Sequence, residues 1–250
     1  LPMNKLSTQN LKLLPNPREL KSICKSISAL EAIICPEWEY RYYSYQKNWS
    51  ETEECCEMRN GQGDQMLILF SNNGTCINGF AHESEMNGWK NVKIEEKKSV
   101  IEKLLGSKKE NKTELIQEIS KEVVNDLPEV FNEFIFGEPV KSIGTTFCIW
   151  QTNTDKNWKT GKVNLPEDDY KDGSSDLLEL LDGKPMTYKN WAEEYYEENF
   201  EENKLKLELV EKIYTGDTIT KELVLRLNPE LDDLEQLKSD LDEIGYEHNI

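Results

Sequence analysis

The sequence predicts an α+β fold. Two apolar runs of strand length flank Asn72-Asn73-Gly74, where Asn and Gly tolerate positive φ and favour a hairpin turn. The strand-like segments fall in the N-terminal half, and the C-terminal half reads as acidic helices. An antiparallel β-meander packed with helices is therefore expected first, and an acidic helical half second. The whole is expected to form one compact α+β domain over 1–250, with a sub-division near 160 (17–160 sheet-containing, 161–250 helical).

The first element is a helix over 17–34. Asn16 suits its N-cap and Pro17 its first turn. Leu20, Ile23, Cys24, Ile27, Leu30 and Ile34 make one apolar stripe, and Pro36 ends it. Residues 38–45, rich in aromatics, read as a strand, and 46–57 as a polar connection. Residues 65–71 and 75–80 form the hairpin. The Lys/Glu-rich stretch 91–121 reads as a solvated helical region broken near Gly106-Ser107, with an amphipathic helix over 113–126. A short helix follows Pro128 and a buried strand covers 145–150, with another around 163–165. Beyond 164, Ser174 or Ser175, Thr187 and Thr220 are candidate caps. Gly183, Asn228-Pro229 and Gly245 are stop signals, the last closing a helix that carries Leu231, Leu234, Leu237, Leu241 and Ile244.

Composition narrows the function classes. The chain has 250 residues, 30 Lys+Arg and 48 Asp+Glu, and a formal net charge of −18. Nucleic-acid backbones and anionic membranes need clustered cations, so neither is an expected partner. No apolar run approaches the ~20 residues of a membrane span. Residues 164–250 hold 25 acids against nine bases. A basic protein fits that sign, although acidity also serves solubility alone. The six cysteines include no C-x-x-C, so reduced thiols in a cytoplasm are expected. No cofactor and no metal site is expected, and oligomeric state is left open.

Two constellations can carry chemistry. In Met58-Arg59-Asn60-Gly61-Gln62-Gly63-Asp64 the glycines allow a tight turn, while Arg59 and Asn60 offer donors for binding. Antiparallel pairing of the hairpin brings Asp64 beside His82, with Glu83 next to it. Asp64, His82 and Glu83 are the candidate catalytic set of a hydrolase-type alternative, His82 as general base. The other reading of both segments is a tight loop and a hydrogen-bonded histidine. In the aromatic and acidic run 188–200, Trp191, Tyr195 and Tyr196 either dock on the core or form an interaction face. Glu194, Glu198 and Glu202 are its candidate binding residues.

The blocks MRNGQGDQ (58–65), GFAHES (79–84), TTFCIW (145–150), LLELLDG (177–183), NWAEEYYE (190–197) and LDEIGY (241–246) resemble an uncharacterised bacterial protein family. The resemblance implies a bacterial, intracellular, single-unit protein and supplies no activity. The expectation for function is a non-enzymatic acidic protein that binds a basic one in an immunity-like or regulatory role. The alternatives are the hydrolase, or a small-ligand-binding domain built on the 58–64 loop and His82.

Overall fold

The computed structural model describes residues 5–95, 111–164, 171–200 and 204–250, with backbone alone for 91–95 and 111–115. A six-stranded antiparallel sheet, covered by helices on both faces, organises the fold.

Helix α1 (Pro17–Ile34) opens with Pro17 in its first turn, and Asn16 Oδ1 accepts from the backbone N–H of Arg18 and Glu19. That satisfies two of the donors a helix start leaves unpaired. Every residue from Ser26 to Ile34 is buried. The predicted stripe understates this, because α1 is enclosed between the sheet and the C-terminal helices.

The strands are β1 (Tyr43–Gln46), β2 (Glu53–Arg59), β3 (Gln65–Ser71), β4 (Gly74–Phe80), β5 (Trp89–Glu95), β6 (Asn111–Gln117), β7 (Phe147–Thr152) and β8 (Lys159–Thr160). The main sheet runs β1-β2-β3-β4-β7-β8. Ser71 pairs with Gly74, so Asn72-Asn73 is a two-residue hairpin loop. Gly79 pairs with Phe147, whose ring lies where a Cβ at residue 79 would stand, 2.0 Å away. Only glycine admits that approach.

Several expectations are corrected. Trp38–Tyr40 is a 3₁₀ turn, not strand, and the polar connection contains β2. Its glutamates and adjacent cysteines hide the strand period. Cys55 and Cys56 are both buried, on opposite faces. Over the described residues the helical reading of 91–121 and 113–126 is overturned, by the antiparallel β5–β6 hairpin and by the turns over 121–126, while 96–110 lie outside them. Lys and Glu favour helix intrinsically, and cross-strand pairing overrides that preference. The break near Gly106-Ser107 lies outside the described residues, as does Leu165. Residues 163 and 164 are not strand.

Helices α2 (Asn132–Phe136) and α3 (Val140–Ile143) cover the second sheet face, packing Phe131, Phe134, Ile135 and Val140 on Leu67, Leu69, Cys148 and Trp150. The first face meets α1 and the C-terminal elements. These are α4 (Ser174–Leu177), α5 (Pro185–Tyr195), α6 (Glu197–Phe200), α7 (Leu207–Tyr214), α8 (Lys221–Leu227) and α9 (Leu234–Ile244). A parallel pair, β9 (Ile219–Thr220) with β10 (His248–Asn249), sits among them. Thr220 caps α8, and Gly245 in the left-handed region closes α9. Neither Ser174 nor Ser175 caps α4: Gly173 does, and Asp172 takes the Ser174 N–H instead. Thr187 lies inside α5, with its hydroxyl given to Asp182.

Arg41 and Asp240 form a buried ion pair at 2.6 Å. The guanidinium also donates to the carbonyls of Cys35 and Pro36, and Gln236 donates to the other Asp240 oxygen. Among the described residues, no helix is long and apolar enough to cross a membrane.

Candidate functional site

The turn between β2 and β3 is built by Asn60. Its Oδ1 accepts from the N–H of Gln62 and Asp64, and its Nδ2 donates to Asp64 Oδ2. Gly61 and Gly63 take φ of 70° and 115°, which a side chain would strain. Gln65 pairs with Phe80, so the chain beyond each strand end continues in parallel, Asp64 toward His82. Asp64 Oδ1 accepts from the His82 backbone N–H at 2.9 Å and lies 2.8 Å from its Nδ1. The imidazole lies against Gly63. Glu83 stands 3.9 Å from Nε2 and is almost fully exposed.

The Asp64 hydrogen bond is the main cause that raises the His82 pKa above its ordinary 6.5. An oriented imidazole of this kind can relay a proton. Among the described residues no nucleophile accompanies it. Ser84 Oγ donates to the Lys171 carbonyl at 2.6 Å. All six cysteines are free and buried; burial pushes the Cys35 thiol up to about 11 and raises Cys55, Cys56 and Cys76 further from reactivity. Among the described residues, no three His, Cys, Asp or Glu side chains group to hold a metal.

A second arrangement adjoins the turn. The Arg59 guanidinium lies 4.2 Å from the centre of the Trp38 ring, and Tyr195 Oη reaches the Asn60 carbonyl at 3.5 Å. Trp38, Tyr40 and Tyr195 are 48%, 68% and 42% exposed. Tyr195 stacks on Trp191 at 4.9 Å and meets Tyr42 and Tyr196 edge-on. Tyr195 is thus the exposed edge of a continuous ring cluster. Glu37, Glu39, Glu194, Glu197 and Glu198 are exposed and form no ion pair among the described residues. Glu202 lies outside the described residues.

Beneath the rings sits Glu31, wholly buried. It accepts from the Tyr188 hydroxyl at 2.7 Å, the Tyr196 hydroxyl at 2.6 Å and the Tyr42 N–H at 2.9 Å. Burial raises its pKa and outweighs the opposing hydrogen bonds. These bonds fix α5 and β1 to α1, and so fix the platform that carries Tyr195.

Of the residues singled out in the sequence, Asp64, His82 and Glu83 come together, Asn60 meets Tyr195 through its carbonyl, and Arg59 lies on Trp38. Asn60 is consumed in the turn itself. Sequence reasoning missed Glu31, Trp38 and Tyr40. For Glu31 a signal existed: it stands four residues after Ile27 and seven after Cys24, on the apolar stripe. No family model, curated protein or solved structure matches the chain.

Proposed function

We propose that the chain acts by binding a cationic protein, in a blocking or regulatory role, through the patch formed by Trp38, Tyr40, Arg59 and Tyr195. The observation that carries this reading is the exposure of three large aromatic side chains, Trp38 with the Arg59 guanidinium on its ring, Tyr40 in the same turn, and Tyr195 reaching the Asn60 carbonyl. Trp, Tyr and Arg are the residue types that dominate binding energy at protein interfaces, and water leaves such surfaces favourably. The unpaired glutamates on the flanking segments supply the field that steers a basic partner in. The six buried free thiols support a cytoplasmic setting.

A photo-cross-linking residue at position 40 tests the reading in cells. It is expected to trap a protein of high isoelectric point, and E194K/E198K should lower the yield by about tenfold. Equal trapping from exposed position 130, over the opposite sheet face, or indifference to the charge reversal, defeats it.

The hydrolase alternative has one observation in its favour, the contact between Asp64 and His82. It lacks a nucleophile among the described residues. His82→Ala separates the two readings, because it abolishes any hydrolysis and leaves cross-linking at position 40 intact.

A further inference from the structure

The helical layer over the second sheet face stops short of the β2–β3 turn and leaves an open cleft of about 410 Å³. That volume lies within the range of small-ligand sites, ~300–1,000 Å³. Trp49, Leu67, Phe80 and Ile143 supply apolar walls, and Glu57 and Gln65 supply polar groups. Glu57 pairs with Leu67 across the strands, so its carboxyl lies on the same face as the apolar wall. Gly63, against which the His82 ring rests, forms part of the rim.

The chemistry of the cleft is one-sided. Gln65 Nε2 donates to Glu57 Oε1, and Arg59 Nε lies 3.8 Å from the same oxygen. Glu57 Oε2 accepts no hydrogen bond among the described residues. Among the described residues no lysine or arginine lines the cleft, and Arg59, which reaches Glu57 Oε1 from the strand end, also engages the ring and carbonyl of Trp38. Glu57, whose Oε2 has spare lone pairs, therefore lines a space bounded by an indole and a phenyl ring. Such a space favours a positive head, through a charge-assisted hydrogen bond and ring attraction, on a short apolar body.

We propose that this cleft binds a compact organic cation, a primary ammonium or a guanidinium on a short apolar stem. The inference stands on the cleft and not on the aromatic patch. If the protein-binding reading also holds, the cation is a lysine or arginine side chain of the partner, since Arg59 joins the two features. Otherwise it is a free amine.

The indole N–H resonance of Trp49, assigned with Trp49→Phe, reports occupancy. Titration of the full chain with n-butylguanidinium and n-butylammonium chloride at constant ionic strength should shift it saturably, with dissociation constants of about a millimolar. Glu57→Gln should weaken both by about tenfold. Ser142→Phe, which fills the cleft from α3, should give the same loss and serves if Glu57→Gln does not fold. Acetyl-Gly-Arg-Gly-amide distinguishes the sources. Its binding with the same shift points to a polypeptide side chain, and its exclusion while n-butylguanidinium binds points to a free amine. The proposal is overturned if neither cation shifts the resonance saturably, if n-butanol or butanoate binds as well, or if the cleft variants bind undiminished. Each outcome is independent of cross-linking at position 40.

Discussion

Tyr196 donates its hydroxyl to Glu31 at 2.6 Å, joining the end of α5 to the buried heart of α1 across 165 residues of sequence. The bond is one of three on a carboxyl that has no access to water. A buried acid is tolerable only when its oxygens are satisfied, and here two tyrosines and a backbone N–H satisfy them.

Glu31→Ala leaves those three donors without an acceptor. Urea unfolding should show a loss of about 3 kcal/mol. The wild-type pH profile carries a second signature. Because the folded pKa of Glu31 is raised above its ordinary 4.5, its contribution is fully present below that value and is lost as pH rises through the folded pKa. Glu31→Gln should remove that decline, so a parallel profile in both chains would contradict the assignment.

Asp64 holds the His82 proton. Asp64→Asn should bring the His82 titration, followed by its ring proton resonances, back down toward 6.5. The sign for stability follows from the raised pKa: this pair contributes below about pH 6.5 and the contribution fades as pH rises through the folded value. An unshifted His82 in Asp64→Asn would show that the contact is not formed in solution.

The buried pair of Arg41 and Asp240 should respond asymmetrically to substitution. Arg41→Met strands the carboxyl of Asp240 and the carbonyls of Cys35 and Pro36, at a cost of about 3–5 kcal/mol. Arg41→Met combined with Asp240→Leu should recover part of the loss, because an uncompensated charge no longer remains. Additive losses in the urea midpoints would argue against direct coupling.

Much local chemistry was legible in the sequence, although the caps expected at Ser174, Ser175 and Thr187 were not, and most long-range chemistry was hidden. Asn16 and Pro17, the Asn72-Asn73 turn, Thr220 and Gly245 act within a few residues, and each was read correctly. The approach of Asp64 to His82 was also readable, since a two-residue loop leaves little choice of register. Strand β2 was hidden because a sheet buried on both faces needs no polar alternation, and Cys55-Cys56 with flanking glutamates supplies none. Strands β5 and β6 were hidden by the opposite fault, a composition that favours helix. The aromatic patch was half visible. Tyr195 lies in a conspicuous run, whereas Trp38 and Tyr40 looked like strand and became exposed only because a 3₁₀ turn follows Pro36.

The β5–β6 hairpin leaves the body of the protein at Gly88 and returns at Glu118, and the two ends are tied by a backbone hydrogen bond of 3.0 Å. Among the described residues its strands pair with each other and with no strand of the main sheet. The base of the hairpin is therefore closed by its own backbone and not by the sheet. Among the described residues the hairpin adds no rung to the β4–β7 ladder, so changes within β5 and β6 leave those two strands in register, and with them the patch, the cleft and the Glu31 network.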